Sequence, residues 1–243
     1  MILKVFPDNH AMSLAAAEWI ADFVRANPTA LFSFAAGKTQ AATYEILGQW
    51  VQEGKLDLSR IRVVGLDDMV GTSRASREGF YYFLDEHLFK RANIADEQVT
   101  FFNPQAADLA AECKRIDAYL DANGPIDFLI LGIGMNGHIG YNEPGSTMND
   151  RSHVVALESS SVQVGSAYFD HEVSTDSGIT LGLRDLFAAR NVLVQANQAK
   201  KAEIVKTVIE GPITDAVPAT LLRNRADVAW YLDADCATLL SAT

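Results

Sequence analysis

Cysteine is scarce in this chain: Cys113 and Cys236 are the only two in 243 residues. They stand far apart, in no metal-ligand or redox spacing, so a disulfide framework and a cysteine-based metal module are both excluded and two reduced thiols on helices are expected. Positive charge is also in deficit. Twenty Lys and Arg face 31 Asp and Glu, a formal net charge of −11. With no Lys/Arg block, the chain lacks the counter-charge that a nucleic-acid partner requires. An anionic small substrate stays compatible, because screening over roughly 8 Å leaves recognition to donors inside a pocket. Long apolar runs are missing. Nothing approaches the roughly 20 residues of a membrane span, and the opening Met1–Pro7 run is too short for a signal peptide. A cytoplasmic protein without a membrane partner is expected. Linkers, repeats and low-complexity segments are absent too, which predicts one domain over residues 1–243.

What is present is a 49% apolar composition, ample for one large core. Short β-type runs alternate with helical ones. Strands are expected at Ile2–Phe6, Ala30–Ala35, Arg62–Leu66, Val99–Phe102, Phe128–Leu131, Val154–Leu157, Asn191–Ala196 and Asp227–Leu232. Helices are expected at Asn9–Ala26, Thr39–Glu53, Gly79–Leu88, Gln105–Asn123 and Lys200–Glu210, with a short one at the C-terminal end. Phe128–Leu131 is the most apolar strand and therefore central. This alternation predicts an α/β fold. It is a three-layer, Rossmann-like domain, a mostly parallel twisted sheet with helices on both faces.

Open α/β sheets bind ligands outside the carboxyl ends of their strands, which selects three loops. In Ala35-Ala36-Gly37-Lys38-Thr39, Gly37 lets the backbone approach a ligand, Thr39 stands at an expected N-cap, and Lys38 adds charge. The P-loop spacing is absent, and an ordinary capped turn stays open as the alternative. In Leu66-Asp67-Asp68, one carboxylate points to the pocket if the other caps a turn, and Asp67 is a candidate general base. The third loop runs from Gly132 to Gly145 as GIGMNGHIGYNEPG. Its G-x-G-x-x-G at Gly132, Gly134 and Gly137 is not a dinucleotide fingerprint, since Gly140 and Pro144-Gly145 interrupt any following helix. What it displays is Asn136, His138 and Glu143, an imidazole and a carboxylate able to act as an acid–base pair.

The run Gly134-x-Asn136-Gly137-His138-Ile139-Gly140-x-Asn142-Glu143-Pro144-Gly145 resembles the signature of the glucosamine-6-phosphate deaminase/isomerase family. Leu66-Asp67-Asp68-x-Val70-Gly71 is similar to its acidic motif, and Ala36-Gly37-x-Thr39 with Thr43-Tyr44 to its phosphate loop. Weaker similarity continues through Gly178–Gly182, Lys200-Lys201-Ala202 and Pro218-Ala219, so it spans nearly the whole chain. The resemblance implies conversion of a hexosamine 6-phosphate to a ketose 6-phosphate plus ammonia, with no metal and no organic cofactor. Carried over residue by residue, Asp67 moves the C2 proton and His138, oriented by Glu143, opens the sugar ring. Gly37, Lys38, Thr39 and Lys201 hold the phosphate, and Gly132 contributes backbone contacts.

Several positions depart from the family pattern. Asn136 stands where many members carry Asp, and it hydrogen-bonds without taking a proton. Lys38 replaces a second glycine, and Ala167 occupies the place of a phosphate-binding Arg, which suggests that Lys38 compensates. His153 stands where regulated members carry a basic effector ligand, so allosteric control is not expected. Asn136 and Gly178–Asp185 are closer to the galactosamine-6-phosphate branch. Two other readings stay open: a sugar-phosphate lactonase, whose reaction needs no ring-opening His–Glu pair, and a non-catalytic sugar-phosphate sensor. The sequence leaves a homo-oligomer open.

Overall fold

The computed structural model describes residues 1–157 and 176–241. Ala167 and the segment around it lie outside the described residues.

A seven-stranded sheet forms the middle layer. Its strands are β1 (Ile2–Phe6), β2 (Leu31–Phe34), β3 (Arg62–Val64), β5 (Val99–Thr100), β6 (Phe128–Leu131), β9 (Asn191–Ala196) and β10 (Ala229–Asp233). They lie in the order β1-β10-β9-β6-β2-β3-β5, and every pairing is parallel. The central β6 reads Phe-Leu-Ile-Leu and is buried on both faces, the pattern of a strand covered by helices on each side. One face carries α1 (Asn9–Ala26), α2 (Lys38–Gln52) and α3 (Phe80–Leu84), the last running on into a π-helical turn at Asp85–Phe89. Met12, Ala16, Ile20 and Val24 give α1 a buried stripe that packs with Phe32, Phe34 and Phe128 from the sheet. The other face carries α4 (Leu109–Asn123), α5 (Leu183–Ala188) and α6 (Ala202–Glu210) over Leu129, Leu131, Val192 and Val194. Asp8 and Asp108 cap α1 and α4 by accepting from the Ala11 and Ala111 amides at 2.8 and 2.9 Å.

A second, antiparallel sheet, β4 (Asp67–Met69), β8 (Ser177–Thr180) and β7 (His153–Ala156), has the order β4-β8-β7. It corrects three expectations. Val154–Leu157 belongs to this small sheet and not to the main one, while β4 and β8 were not anticipated as strands. Asp67 does not end the strand begun at Arg62: β3 stops at Val64 and Asp67 opens β4. A three-residue strand carrying two carboxylates has no alternation to betray it.

Other differences are local. Thr39 is not the N-cap of α2. Gly37 holds that position, with no side chain to offer, and Thr39 is the second helical residue. The helix expected from Gln105 starts at Leu109, where Asp108 supplies the cap. The C-terminal helix is replaced by turns over residues 234–239. Cys236 therefore sits in a turn, Cys113 lies on α4 as expected, and both thiols are unpaired and buried. Among the described residues no helix is long and apolar enough to cross a membrane.

Candidate active site

The strand order reverses around β6. The chain first lays β2, β3 and β5 to one side, then returns to place β9 and β10 on the other. Ligands bind at such switch points, beyond the carboxyl ends of the strands. The loops following β2, β6 and β9, which are neighbours in the sheet, all open there. They contain Gly37–Thr39, Gly132–Glu143 and Lys201.

The Gly37 turn is held from the β9 side. The Thr39 hydroxyl donates to Asn197 Oδ1 at 2.8 Å, and the Asn197 amide donates to Asn9 Oδ1 at 2.8 Å, linking the starts of α1 and α2. Gln40, almost fully buried, donates through Nε2 to the Leu131 carbonyl at 3.2 Å. A Cβ on Gly132 would lie 3.0 Å from that nitrogen, so a larger residue there would press on the Gln40 amide. The N-terminus of α2 thus faces the end of β6, the geometry in which backbone amides meet an anion. Lys38 is the first residue of α2 and is exposed.

Lys201 comes from the opposite side, in a short 3₁₀ turn at Ala199–Lys201. It is only 7% exposed, and its Nζ donates to the Ile133 carbonyl at 2.8 Å. Burial, with Lys200 close by, pushes its ammonium down to about 8, against a smaller opposing effect from Cys236.

The Gly132–Glu143 loop folds over the end of β6. Gly134 donates its amide to the His138 carbonyl at 3.0 Å, and Gly137 donates to the Gly134 carbonyl at 3.0 Å. Gly137 has φ +85°, and a Cβ there would lie 2.4 Å from Val217. This tight turn presents three polar side chains to one another. Asn136 Nδ2 donates to Glu143 Oε2 at 2.6 Å. His138 Nδ1 lies 3.5 Å from the same oxygen, and Asn136 Oδ1 accepts from the His138 amide at 3.2 Å. Glu143 is buried, while the His138 side chain retains 19% exposure, so the imidazole forms the accessible end of the group.

The two aspartates of β4 divide their work. Asp68 accepts from the Phe80 and Met69 amides at 2.8 Å, the Tyr81 amide at 3.3 Å and the Thr72 hydroxyl at 3.2 Å, anchoring the start of α3. Burial nevertheless lifts its carboxyl to about 6, outweighing those donors. Asp67 is buried too. Burial, and then the charge of Asp68, raise its carboxyl well above the ordinary carboxylate range. It pairs in register with Thr180, whose hydroxyl accepts from the Tyr141 amide at 3.2 Å. The negative charge of Asp67 in turn raises both Tyr44 and Tyr141, after the larger effect of their own burial. Thr180 and Tyr141 thereby connect β4 to the histidine loop.

Of the residues singled out from sequence, Asn136, His138 and Glu143 converge directly, and Lys201 meets the loop at Ile133. Thr39 and Gly132 share the Gln40–Asn197 frame, and Asp67 joins through Thr180. Gln40, Asn197, Tyr141 and Thr180 were missed. The hydrogen bonds that bring them to the site span from 39 to 188 positions, and no local pattern announces them. Among the described residues no three His, Cys, Asp or Glu side chains are grouped to hold a metal ion.

Comparison with known proteins agrees with this architecture. The family model described as glucosamine-6-phosphate isomerases/6-phosphogluconolactonase matches residues 7–230. A glucosamine-6-phosphate deaminase of Clostridium perfringens (strain ATCC 13124) is 36% identical over 242 residues, 99% of this chain and 100% of that protein. One of Lachnoclostridium phytofermentans is 35% identical, covering 89% of this chain and 92% of that protein. A solved monomeric glucosamine-6-phosphate deaminase superposes with a TM-score of 0.95 at 31% identity, over 98% of this chain and 100% of that one. The 6-phosphogluconolactonase of Leishmania guyanensis, at 19% identity, has a TM-score of 0.77 over 99% of both chains and shares the fold. With the family model spanning most of the sequence and full-length relatives above 30% identity, the chain belongs to the glucosamine-6-phosphate isomerase/6-phosphogluconolactonase family.

Proposed function

We infer that this chain is an amino-sugar phosphate deaminase-isomerase. It converts a hexosamine 6-phosphate, glucosamine 6-phosphate foremost, and water into the ketose 6-phosphate and ammonia. The observation that carries this reading is the Asn136–Glu143–His138 group. A carboxylate beside Nδ1 keeps the proton on that nitrogen and leaves Nε2 to exchange one with the substrate. Opening a hemiacetal ring requires removal of a proton from O1 and delivery of one to O5. A partly exposed imidazole backed by a buried carboxylate is suited to that work.

Asp67 is the proposed base at C2. Its burial makes it a stronger base than a solvated carboxylate, which suits abstraction from carbon. The proton taken from C2 is returned to C1, and water at C2 displaces the amine as ammonia. Gly37, Lys38, Thr39 and Lys201 are proposed to hold the phosphate through the α2 N-terminus and two cations, with the Gly132 backbone against the sugar.

The lactonase reading is disfavoured because that hydrolysis has no hemiacetal to open. The sensor reading rests on Lys38 and Ala167 alone. Ammonia assayed over a panel of glucosamine, galactosamine and mannosamine 6-phosphates, with 6-phosphogluconolactone as a further arm, tests all three. Release from glucosamine 6-phosphate supports the proposal. Preference for the galactosamine epimer would assign the chain to that branch, and lactone hydrolysis or binding without turnover would overturn the deaminase reading. We propose a cytoplasmic monomer. A free sugar phosphate does not cross membranes unaided, and the deaminase of TM-score 0.95 is described as monomeric. Sedimentation reads the oligomeric state.

A further inference from the structure

The Ile133–Gly134 peptide ends on a glycine, whose missing Cβ leaves that side of the peptide with little steric restraint. Two hydrogen bonds hold that peptide. Its carbonyl accepts from Lys201 Nζ at 2.8 Å, and its N–H, which belongs to Gly134, donates to the His138 carbonyl at 3.0 Å. One planar unit therefore has the phosphate-site cation at one end and the histidine backbone at the other. The imidazole also lies against it, since a Cβ on Gly134 would fall 2.4 Å from His138 Cε1 and Nε2.

We propose that Lys201 is a positioning residue for His138: it fixes the Ile133–Gly134 peptide plane, and so couples arrival of the phosphate to the placement of the ring-opening histidine. Ile133 is only 2% exposed, so water does not readily replace the ammonium on its carbonyl. A cation on the carbonyl polarises the peptide and strengthens the hydrogen bond its N–H donates. An ammonium has three protons. One serves Ile133, and the others remain for an anion. Burial brings Lys201 down to about 8, so above that pH the tether weakens unless an anion is bound to keep the nitrogen charged.

The kinetic consequences rest on the deaminase reading, but the structural ones do not. Amide hydrogen exchange is measured first, on ligand-free protein. In Lys201→Met the Gly134 amide should exchange at least about tenfold faster than in the parent, while amides of β9 keep their rates. With glucosamine 6-phosphate, the variant should lose kcat by at least about tenfold in addition to its rise in KM. A lysine analogue made by aminoethylating Lys201→Cys should restore both. Unchanged Gly134 exchange, or a rise in KM with kcat intact, overturns the proposal. If Lys201→Met does not fold, the parent at pH 8.5 with added inorganic phosphate gives the same test. Phosphate should slow Gly134 exchange, and no slowing overturns the coupling. Absence of ammonia from the parent would overturn the functional reading while leaving the exchange result to decide this inference.

Discussion

Replacing Glu143 by glutamine keeps the shape of the side chain and removes its charge. The new amide oxygen could still accept from Asn136, whose Nδ2 now sits 2.6 Å from Glu143 Oε2, so the loop should persist. What disappears is a full negative charge 3.5 Å from His138 Nδ1. At an effective dielectric of about 20, that separation corresponds to roughly 5 kcal/mol for two unit charges, an upper bound. The Asn136 amide already takes part of the carboxylate's charge, and 3.5 Å is longer than a good hydrogen bond, so about 2–3 kcal/mol is the reasonable loss. That converts to a fall in kcat of roughly 30- to 150-fold. KM should change by less than about threefold, because the contacts proposed for the phosphate lie elsewhere. Ammonia release at saturating and limiting substrate separates the two. A kcat within about threefold of the parent would refute the reasoning, and Glu143 would then only hold the loop together.

Gly134→Ala should place a methyl group 2.4 Å from the imidazole. It should cost about 1–3 kcal/mol in urea unfolding and lower kcat far more than affinity for inorganic phosphate; equal loss of both would show a general collapse of the loop. Asp68→Asn tests a buried carboxyl raised to about 6 from 3.8. Between those values the unfolded chain releases its proton before the folded one, so the parent loses stability as pH rises through this window. Relative to the parent, Asp68→Asn should therefore gain about 2 kcal/mol in urea unfolding between pH 4 and pH 7, and a flat difference would contradict the assignment. For Lys201 the ammonium form dominates below about 8. KM for the phosphorylated substrate should rise as pH passes through that value, and a KM constant to pH 9 would place the phosphate elsewhere. Lys38→Gly should weaken binding of inorganic phosphate, and Ala167→Arg in the same variant should restore part of it. Parent-like binding by Lys38→Gly would end the idea that Lys38 compensates.

The main sheet was legible because its inner strands are buried on both faces, while the largely exposed edge strand Ile2–Phe6 shows itself only as a short apolar run. Ile2–Phe6, Phe128–Leu131 and Asn191–Ala196 were bounded correctly from their apolar runs. Of the second sheet only Val154–Leu157 was read as a strand, because β4 carries Asp67 and Asp68 and β8 begins Ser177-Gly178, and neither shows a period. Its stability comes from long-range pairing that a local window cannot see. The same division holds at the site. The histidine, asparagine and glutamate lie within one loop, so their meeting could be expected from sequence. The reading that one of the two aspartates caps matches Asp68, which accepts from the Phe80 and Tyr81 amides. That Lys201 would bond the Ile133 carbonyl, 68 positions away, depends on β6 and β9 being neighbours in the sheet, and no motif encodes it.

The central claim is that Asp67 moves the C2 proton of an amino-sugar phosphate while ammonia leaves. It is tested most directly with glucosamine 6-phosphate carrying deuterium at C2. The account predicts ammonia and ketose 6-phosphate in equal amounts, with part of the deuterium recovered at C1 of the product, and neither reaction in a folded Asp67→Asn variant. Ammonia released with the deuterium still on C2, or parent-like turnover by Asp67→Asn, would contradict it.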